Sequence, residues 1–200
     1  MSHMELHKDS NQNDQLWVDF QNGSEQAFTE IYNAFFRLLY NYGCKFTSDK
    51  DLVKDSIHDL FVKLWEKRCE VSIVTSLKYY LLKAMRHKML DALEKKKKLS
   101  LGQENLSESH FEFVLPYESL LISHQLSQEQ QARLLRAVNL LTPRQKEAIF
   151  LRYYNSMSYE EIAALMSLSV DSCYNLISKA LHLIKIDIVK IALCLLLLCA

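Results

Sequence analysis

Apolar residues recur every three or four positions along much of this 200-residue chain, which is the period of one buried face of an α-helix. The first run predicts a helix from about Ser24 to Phe46. The second run predicts a helix from about Asp49 to Lys67, and a third helix begins near Ser76. The chain has only three glycines and two prolines, so sharp turns are few and the predicted fold class is all-α.

One stretch of the chain interrupts this periodicity. Residues 99–119 hold Ser, Gly, Asn, Glu and Pro116 without a repeating apolar face, which is typical of a linker. An apolar content of 49% over 200 residues suffices for one or two compact cores. We therefore predict two small helical domains, at 16–98 and 120–187, followed by an apolar C-terminal tail at 188–200.

The second domain contains helix-start signals that lie close together. Thr142 followed by Pro143 is a well-formed start. Ser158 with Glu161 three residues later forms a capping box, and Ser169 can cap another helix soon afterwards. Apolar residues of the last two helices have the spacing to pack on each other, as in a helix-turn-helix whose short first helix braces the second. The alternative is a helix pair that only fills a core.

In a helix-turn-helix, the second helix enters the DNA major groove and its N-terminal outward residues reach the base edges. Ser167 occupies the turn position where Gly is usual, so a non-Gly residue would need a positive φ there. The outward face has no Arg for bidentate contacts with guanine, so low affinity is expected from this domain alone. The candidate DNA-binding residues are Asp171, Ser172, Tyr174, Asn175, Ser178 and Lys179.

Positive charge is concentrated in one segment of a chain whose net charge is zero. Between Lys83 and Lys98 there are seven basic residues against two acidic ones. Such a patch suits nucleic acid, and a solvated helix end is the alternative. Zero net charge argues against a protein that coats nucleic acid over its whole surface.

Other kinds of chemistry are not indicated by the sequence. The five cysteines form no CxxC pair and have no His partner at ligand spacing, so neither a metal site nor a disulfide framework is predicted. There is no Gly-rich phosphate loop, GxSxG or HExxH motif, so we predict no catalytic residues, no cofactor, no small-molecule substrate and no enzyme activity. The N-terminus has no apolar signal-peptide core, which favours a cytoplasmic location.

Two long segments of the chain carry a family resemblance. They are LTPRQKEAIFLRYYNSMSYEEIAALMSLSVDSCYNLISKAL and, earlier, LVKDSIHDLFVKLW together with SLKYYLLKAMRHKMLDAL. The first resembles region 4 of the sigma-70 family, in its small extracytoplasmic-function branch, and the second resembles region 2. The resemblance implies an alternative sigma factor that binds core RNA polymerase. Region 4 would then read the upstream promoter element, region 2 would recognise and open the downstream element, and an anti-sigma factor would be a further partner.

The resemblance also implies roles for residues of the first domain. Cations beside an aromatic ring suit a single strand whose base is drawn from the stack. His58 and His87 stand where glutamine and asparagine are usual in the family. The residues implied to contact core polymerase are Asp55, His58, Asp59 and Lys63. Those implied to contact the downstream element are Lys78, Tyr79, Lys83, Arg86, His87 and Lys88. The helical pattern leaves Tyr79 and the Lys and Arg side chains of this set available to solvent.

A one-component helix-turn-helix regulator or an anti-sigma-like adaptor is the alternative function, and it would be expected to carry a sensing or dimerising module in place of region 2. The tail is apolar on every face from Ile191 to Ala200 but is interrupted upstream by charges, so a membrane span of about 20 apolar residues is disfavoured. Packing within the second domain, or docking on the first domain or a partner, are the two hypotheses for it.

Overall fold

The computed structural model describes the backbone at residues 10–71, 76–99, 111–112 and 136–198, and side chains within 15–71, 76–96, 111–112 and 136–185. These residues form helices and connecting turns, with no strand among them. The predicted all-α fold class is confirmed. Contacts divide the chain into two compact units, one of residues 1–44 with 49–95 and the other of residues 45–48 with 96–200.

Side-chain caps fix where the helices of the first unit begin. Ser24 Oγ accepts a hydrogen bond from the Ala27 backbone N–H, and Asp49 Oδ1 accepts one from Leu52 N–H. These caps satisfy backbone donors that have no partner inside the helix. The helices are α1 (Ser10–Gln21), α2 (Glu25–Gly43), α3 (Lys50–Glu66) and α4 (Leu77–Leu99). The three helices predicted in this region are therefore confirmed, with ends displaced by a few residues.

The core of the first unit is built from the apolar stripes of its four helices. Gly43 closes α2 where the helices approach most closely, because a Cβ there would lie 2.7 Å from Val53 Cγ1 and 2.5 Å from Met85 Cε. Trp65 is half-buried at the edge of this core. The buried apolar residues are Phe20, Ala27, Ile31, Leu39, Tyr42, Val53, Ile57, Leu60, Phe61, Leu64, Leu81, Leu82, Met85 and Met89.

The second unit contains the predicted short helix and the longer helix that follows it. Its described helices are α5 (Pro143–Ile149), α6 (Tyr159–Met166) and α7 (Val170–Leu198), and a single π-helical turn (Phe150–Tyr154) follows α5. Thr142 with Gln145 and Ser158 with Glu161 both form complete capping boxes. Ser169 Oγ accepts from Ser172 N–H at 3.1 Å at the start of α7.

The turn between α6 and α7 has the geometry that a helix-turn-helix requires. Ser167 adopts a left-handed conformation with φ 56°, as its position at the glycine site of the turn predicts. Ile177 is buried, whereas the neighbouring Leu176 is only half-buried. The buried residues that brace the two helices are Ile162, Ala163, Leu165, Met166, Cys173, Ile177 and Ala180.

The segments outside the two predicted domains are described only in part. Leu99, assigned to the linker, is the last residue of α4. Within the linker, Phe111 is buried and its ring lies 5.7 Å from that of Phe150 in the second unit. The rest of the linker and the tail side chains lie outside the described residues, so both tail hypotheses stay predictions. In the described part of the chain, no helix has both the length and the apolar character needed to cross a bilayer.

Candidate nucleic-acid and partner-binding surfaces

The outward side of α3 carries three of the four residues predicted to contact core polymerase in one row. Asp55, Asp59 and Lys63 are spaced four residues apart, and all three are exposed. We call them the α3 row. They line a shallow groove of about 280 Å³ between α3 and α4, which Lys88 and Asp91 of α4 also line. The row therefore presents two carboxylates and one ammonium to a partner.

Asp59 of the α3 row is paired with a residue that sequence reasoning assigned to DNA. Lys88 Nζ donates a hydrogen bond to Asp59 Oδ2 at 3.1 Å. This hydrogen bond, with the positive charge behind it, lowers the pKa of the Asp59 carboxyl below its ordinary value. Two residues predicted for two different partners thus form one ion pair across α3 and α4.

His58, the fourth predicted polymerase contact, lies on a different surface. It is exposed beside a second groove, of about 570 Å³, between α2 and α3. Aromatic side chains form much of that groove, and the rings of Phe28 and Trp65 lie 5.2 Å apart in an edge-to-face arrangement. The full lining is Glu25, Phe28, Thr29, Tyr32, His58, Phe61, Val62 and Trp65. The four predicted residues therefore occupy two neighbouring grooves, which periodicity alone does not distinguish.

The first two turns of α4 bring a cation and an aromatic ring together. Lys83 Nζ lies 5.6 Å from the centroid of the Tyr79 ring, one helical turn away, and both side chains are half-buried. Lys78 is also half-buried, and His87 is exposed. A positive charge beside an accessible aromatic ring is the combination that stacks on an unpaired base.

Arg86 does not lie on this solvent-facing surface. Its exposure is 9%, so the prediction that its side chain is available to solvent is wrong, while its contact with the downstream element stays a prediction. The reason is its register: Arg86 comes four residues after Leu82 and three before Met89, and both of these are fully buried. A long Arg stem can be covered by apolar neighbours in such a stripe.

All six residues predicted for the DNA-facing side of the second unit lie exposed on the first part of α7. Tyr174 is 59% exposed, which is unusually open for a large aromatic side chain in a helical domain. Between these residues, Cys173 is fully buried and burial raises the pKa of its thiol, so Cys173 serves packing rather than reactivity. We call the six the recognition face: Asp171, Ser172, Tyr174, Asn175, Ser178 and Lys179.

A row of three side chains behind the recognition face was missed by sequence reasoning. Arg152 Nη1 donates to the Met157 carbonyl at 2.7 Å, and its guanidinium lies 4.8 Å from the Tyr159 ring centroid. The Tyr159 ring in turn lies 5.3 Å from that of Tyr174. The π-helical turn that carries Arg152 has no signature in the apolar pattern, and this hid the arrangement. Two tyrosines flanking a predicted turn were the available signal.

Family comparisons match both units. The family model for Sigma-70 region 2 matches residues 31–99, and the model for Sigma-70 region 4 matches residues 131–183. The chain belongs to the sigma-70 family. The predicted family is therefore confirmed, and α3 and α4 lie in its region 2 while the helix-turn-helix lies in its region 4.

Solved structures support the same fold. A structure of CnrH in complex with the cytosolic domain of CnrY is similar with a TM-score of 0.59 and 19% identity, covering 89% of this chain and 97% of that one. The sigma factor RpoE from Bartonella quintana, in complex with the anti-sigma factor NepR, is similar with a TM-score of 0.56 and 20% identity, covering 80% and 96%. No curated protein matches the chain significantly in sequence.

Family membership establishes the general activity of this sigma factor. It binds core RNA polymerase and promoter DNA and directs promoter-specific initiation of transcription, as an alternative sigma factor. A one-component regulator or an anti-sigma-like adaptor would not be expected to contain region 2, so the match over 31–99 decides against that alternative.

Proposed function

We propose that this sigma factor belongs to the extracytoplasmic-function branch and divides promoter recognition between its two units. The recognition face reads the upstream element, the start of α4 recognises and opens the downstream element, and the α3 row with His58 contacts core polymerase. The observation that carries the proposal is the helix-turn-helix, in which every residue of the recognition face is exposed while Cys173 and Ile177 between them are buried. That alternation leaves a polar surface on a rigid helix.

The side chains of the recognition face are suited to recognising particular DNA bases rather than to binding any DNA sequence tightly. Asn175 has the amide geometry to pair with adenine, and Lys179 can contact a phosphate or a guanine. Both are exposed on the same helix as Tyr174. With one Lys and one Asp in the set, the face adds little net charge, so tight binding must come from the holoenzyme as a whole.

The start of α4 supports a separate role in strand opening. Lys83 and Tyr79 form the cation–ring pair that a splayed base can join, and His87 is exposed two turns after Tyr79. Arg86 is buried in the free protein, so its contact with the downstream element would require a rearrangement of α4. Lys78 and Lys88 complete the candidate surface for the downstream element.

We propose an anti-sigma factor as a further partner, because CnrH was solved in complex with the cytosolic domain of CnrY and RpoE in complex with the anti-sigma factor NepR. The polymerase supplies the chemistry of RNA synthesis, so the chain itself acts without enzyme activity. Its site of action is the cytoplasm, where polymerase and promoter meet.

Run-off transcription tests the assignment directly. Purified core polymerase is given genomic promoter fragments with and without this chain, and specific transcripts are expected only when the chain is present. Failure to bind core polymerase, or binding without promoter-specific transcripts, would contradict the proposal.

Two sets of variants separate the proposed surfaces. Asp55→Arg with Asp59→Arg should weaken core binding, because it replaces two carboxylates that attract a basic partner surface with two cations that repel it. Asn175→Ala with Lys179→Ala should leave core binding intact and weaken recognition of the upstream element. Glu30→Arg with Glu70→Arg makes the same charge change at exposed positions outside α3, and it is the matched control. Equal effects of the two charge reversals would rule out the α3 row.

A further inference from the structure

The side chain of Tyr174 is the only member of the recognition face for which the structure records an aromatic contact in the described part of the chain. Its ring meets the Tyr159 ring at 5.3 Å with an interplanar angle of 44°. Tyr159 is the first residue of α6, so this contact joins the start of the bracing helix to the second turn of α7. Tyr174 nevertheless remains 59% exposed.

Tyr159 is itself held in place from behind. The Arg152 guanidinium lies 4.8 Å from its ring centroid, and Arg152 is fixed by a 2.7 Å hydrogen bond to the Met157 carbonyl. Hydrogen bonds from its own backbone N–H and from the Ser158 side chain lower the pKa of the Glu160 carboxyl, and the nearby Arg152 charge adds to that lowering. Arg152 therefore packs on the Tyr159 ring, and the Tyr159 ring packs on the Tyr174 ring. The three side chains form one row that is bonded to the backbone at Arg152.

Such a row has a physical consequence for binding. An exposed side chain that must be ordered on binding costs affinity, because the rotamers it samples in the free protein are lost. A ring already packed on another ring loses less freedom, and aromatic pairs prefer a small set of tilted or offset geometries. The Tyr174 ring is thus held in a preset orientation in the free protein.

The neighbours of Tyr174 indicate what its ring contacts. The recognition face holds no Arg, and its other members are small or polar, so Tyr174 is its one large apolar group. In the major groove, the apolar feature of a base edge is the 5-methyl group of thymine. A fixed ring among short polar side chains is suited to cover that methyl group.

We propose that Tyr174 packs on the 5-methyl group of a thymine in the upstream element, and that Tyr159 and Arg152 are positioning residues that hold its ring there. The inference rests on the proposed role of the recognition face. Tyr159 and Arg152 need make no DNA contact themselves, and they act through the orientation of Tyr174.

The test uses the reconstituted holoenzyme and a DNA duplex that carries a promoter identified by run-off transcription. Each thymine of the upstream element is replaced in turn by deoxyuridine. Deoxyuridine lacks only the methyl group, and burial of one methyl group corresponds to about a fourfold change in affinity. We expect such a loss at one or two positions with the unchanged protein. With Tyr174→Ala the loss at those positions should disappear.

Variants of the positioning residues distinguish orientation from folding. The methyl effect is the loss of affinity when thymine is replaced by deoxyuridine. Tyr159→Phe keeps the ring and should keep the methyl effect. Tyr159→Ala and Arg152→Gln should reduce it until the two duplexes bind almost equally. Tyr153→Ala removes a nearby exposed tyrosine outside the row and should change nothing. Circular dichroism and core affinity, measured on every variant, exclude unfolding as the cause.

The outcomes also separate this inference from the proposed function. If the holoenzyme recognises no promoter, the proposed function fails. If it recognises the promoter normally but the methyl effect is absent, or survives Tyr174→Ala, the role of Tyr174 is wrong. If the effect requires Tyr174 but is unchanged in Tyr159→Ala and Arg152→Gln, the positioning role is wrong.

Discussion

Lys88 Nζ lies 3.1 Å from Asp59 Oδ2, so a side chain assigned to promoter DNA is bonded to one assigned to core polymerase. The Asp59 side chain is 65% exposed and that of Lys88 is 21% exposed. A pair this exposed contributes at most about 1 kcal/mol to stability. A hydrogen bond from a binding partner to either charged group is worth roughly 1.5–3 kcal/mol, which is enough to replace the pair. The pair can therefore hold both side chains in place in the free protein without preventing either partner from binding.

This pair predicts a pH-dependent effect of Lys88→Gln on stability. Lys88 holds the pKa of Asp59 below its unfolded value, so the stabilisation is present above about pH 4 and is lost as pH falls through the lowered folded pKa. We expect Lys88→Gln to lower the free energy of unfolding by up to about 1 kcal/mol at pH 7 and to have no such effect once Asp59 is protonated. Urea denaturation at several pH values measures the difference.

A second ion pair offers the control. Lys54 Nζ lies 3.2 Å from Asp51 Oδ1 within one turn of α3, and both side chains are more than half exposed. Lys54→Gln should cost less than Lys88→Gln, because a more exposed pair is more strongly screened. The prediction would be wrong if the two substitutions had equal effects, or if the effect of Lys88→Gln persisted unchanged in acid.

The close approach at Gly43 predicts that a single methyl group destabilises the first unit. In Gly43→Ala the new Cβ would lie 2.7 Å from Val53 Cγ1, and the stiff Val side chain cannot move aside by rotation alone. Overpacking costs about 1–3 kcal/mol, while Ala gains up to about 1 kcal/mol of helix propensity over Gly. A net loss of roughly 1–2 kcal/mol is expected in urea denaturation.

Removing the clashing neighbour tests the cause. In the double variant Gly43→Ala with Val53→Ala, the two costs should be less than additive, because each substitution makes room for the other. Additive losses would show that the Gly43 contact with Val53 is not what limits the site.

The left-handed turn residue Ser167 predicts a stabilising substitution. Its φ of 56° is costly for a residue with a Cβ, at roughly 1–2 kcal/mol, and Gly avoids most of that cost. Ser167→Gly should raise the free energy of unfolding of the second unit by up to about 1 kcal/mol, as measured by thermal or urea denaturation. Ser178→Gly, in the exposed middle of α7, should lower it by about the same amount. Stabilisation by Ser167→Ala would contradict this account, since Ala keeps the Cβ.

Local signals in the sequence predicted the parts of the fold that depend on local chemistry. Capping at Ser158, the turn at Ser167 and the exposure of Asp55 and Asp59 follow from one or two neighbouring residues and the helical period. The features that the sequence did not predict depend on contacts between elements. The pairing of Lys88 with Asp59, 29 residues away, is an example, since it depends on how α4 lies beside α3.

The contacts behind Tyr174 are of the same kind. The π-helical turn shifts Arg152 by a fraction of a turn, and this places it against Tyr159. A register based on 3.6 residues per turn does not foresee that shift. The exposure predicted for Arg86 is wrong for a simpler reason. The prediction gave more weight to the charge of the side chain than to its place on the helix, in line with the buried residues Leu82 and Met89.

Lys83 and Arg86 lie three residues apart on α4 but differ in burial. Removing the Lys83 charge should therefore affect DNA binding, whereas removing the Arg86 charge should affect stability. Lys83 is half-buried beside the Tyr79 ring, so Lys83→Gln should weaken binding of single-stranded downstream DNA by the holoenzyme. One phosphate contact fewer should reduce the slope of log K against log salt by about 0.7.

Arg86 is 9% exposed and takes part in interactions within the protein, so Arg86→Gln should act on stability instead. Breaking a buried charged interaction costs several kcal/mol at the upper limit, and roughly 1–3 kcal/mol is expected if the Gln amide keeps part of the bonding. Below the unfolding transition, the salt slope of Arg86→Gln should equal that of the unchanged protein. A reduced slope in Arg86→Gln with unchanged stability would mean that Arg86 reaches DNA after all, through a rearrangement of α4 in the holoenzyme.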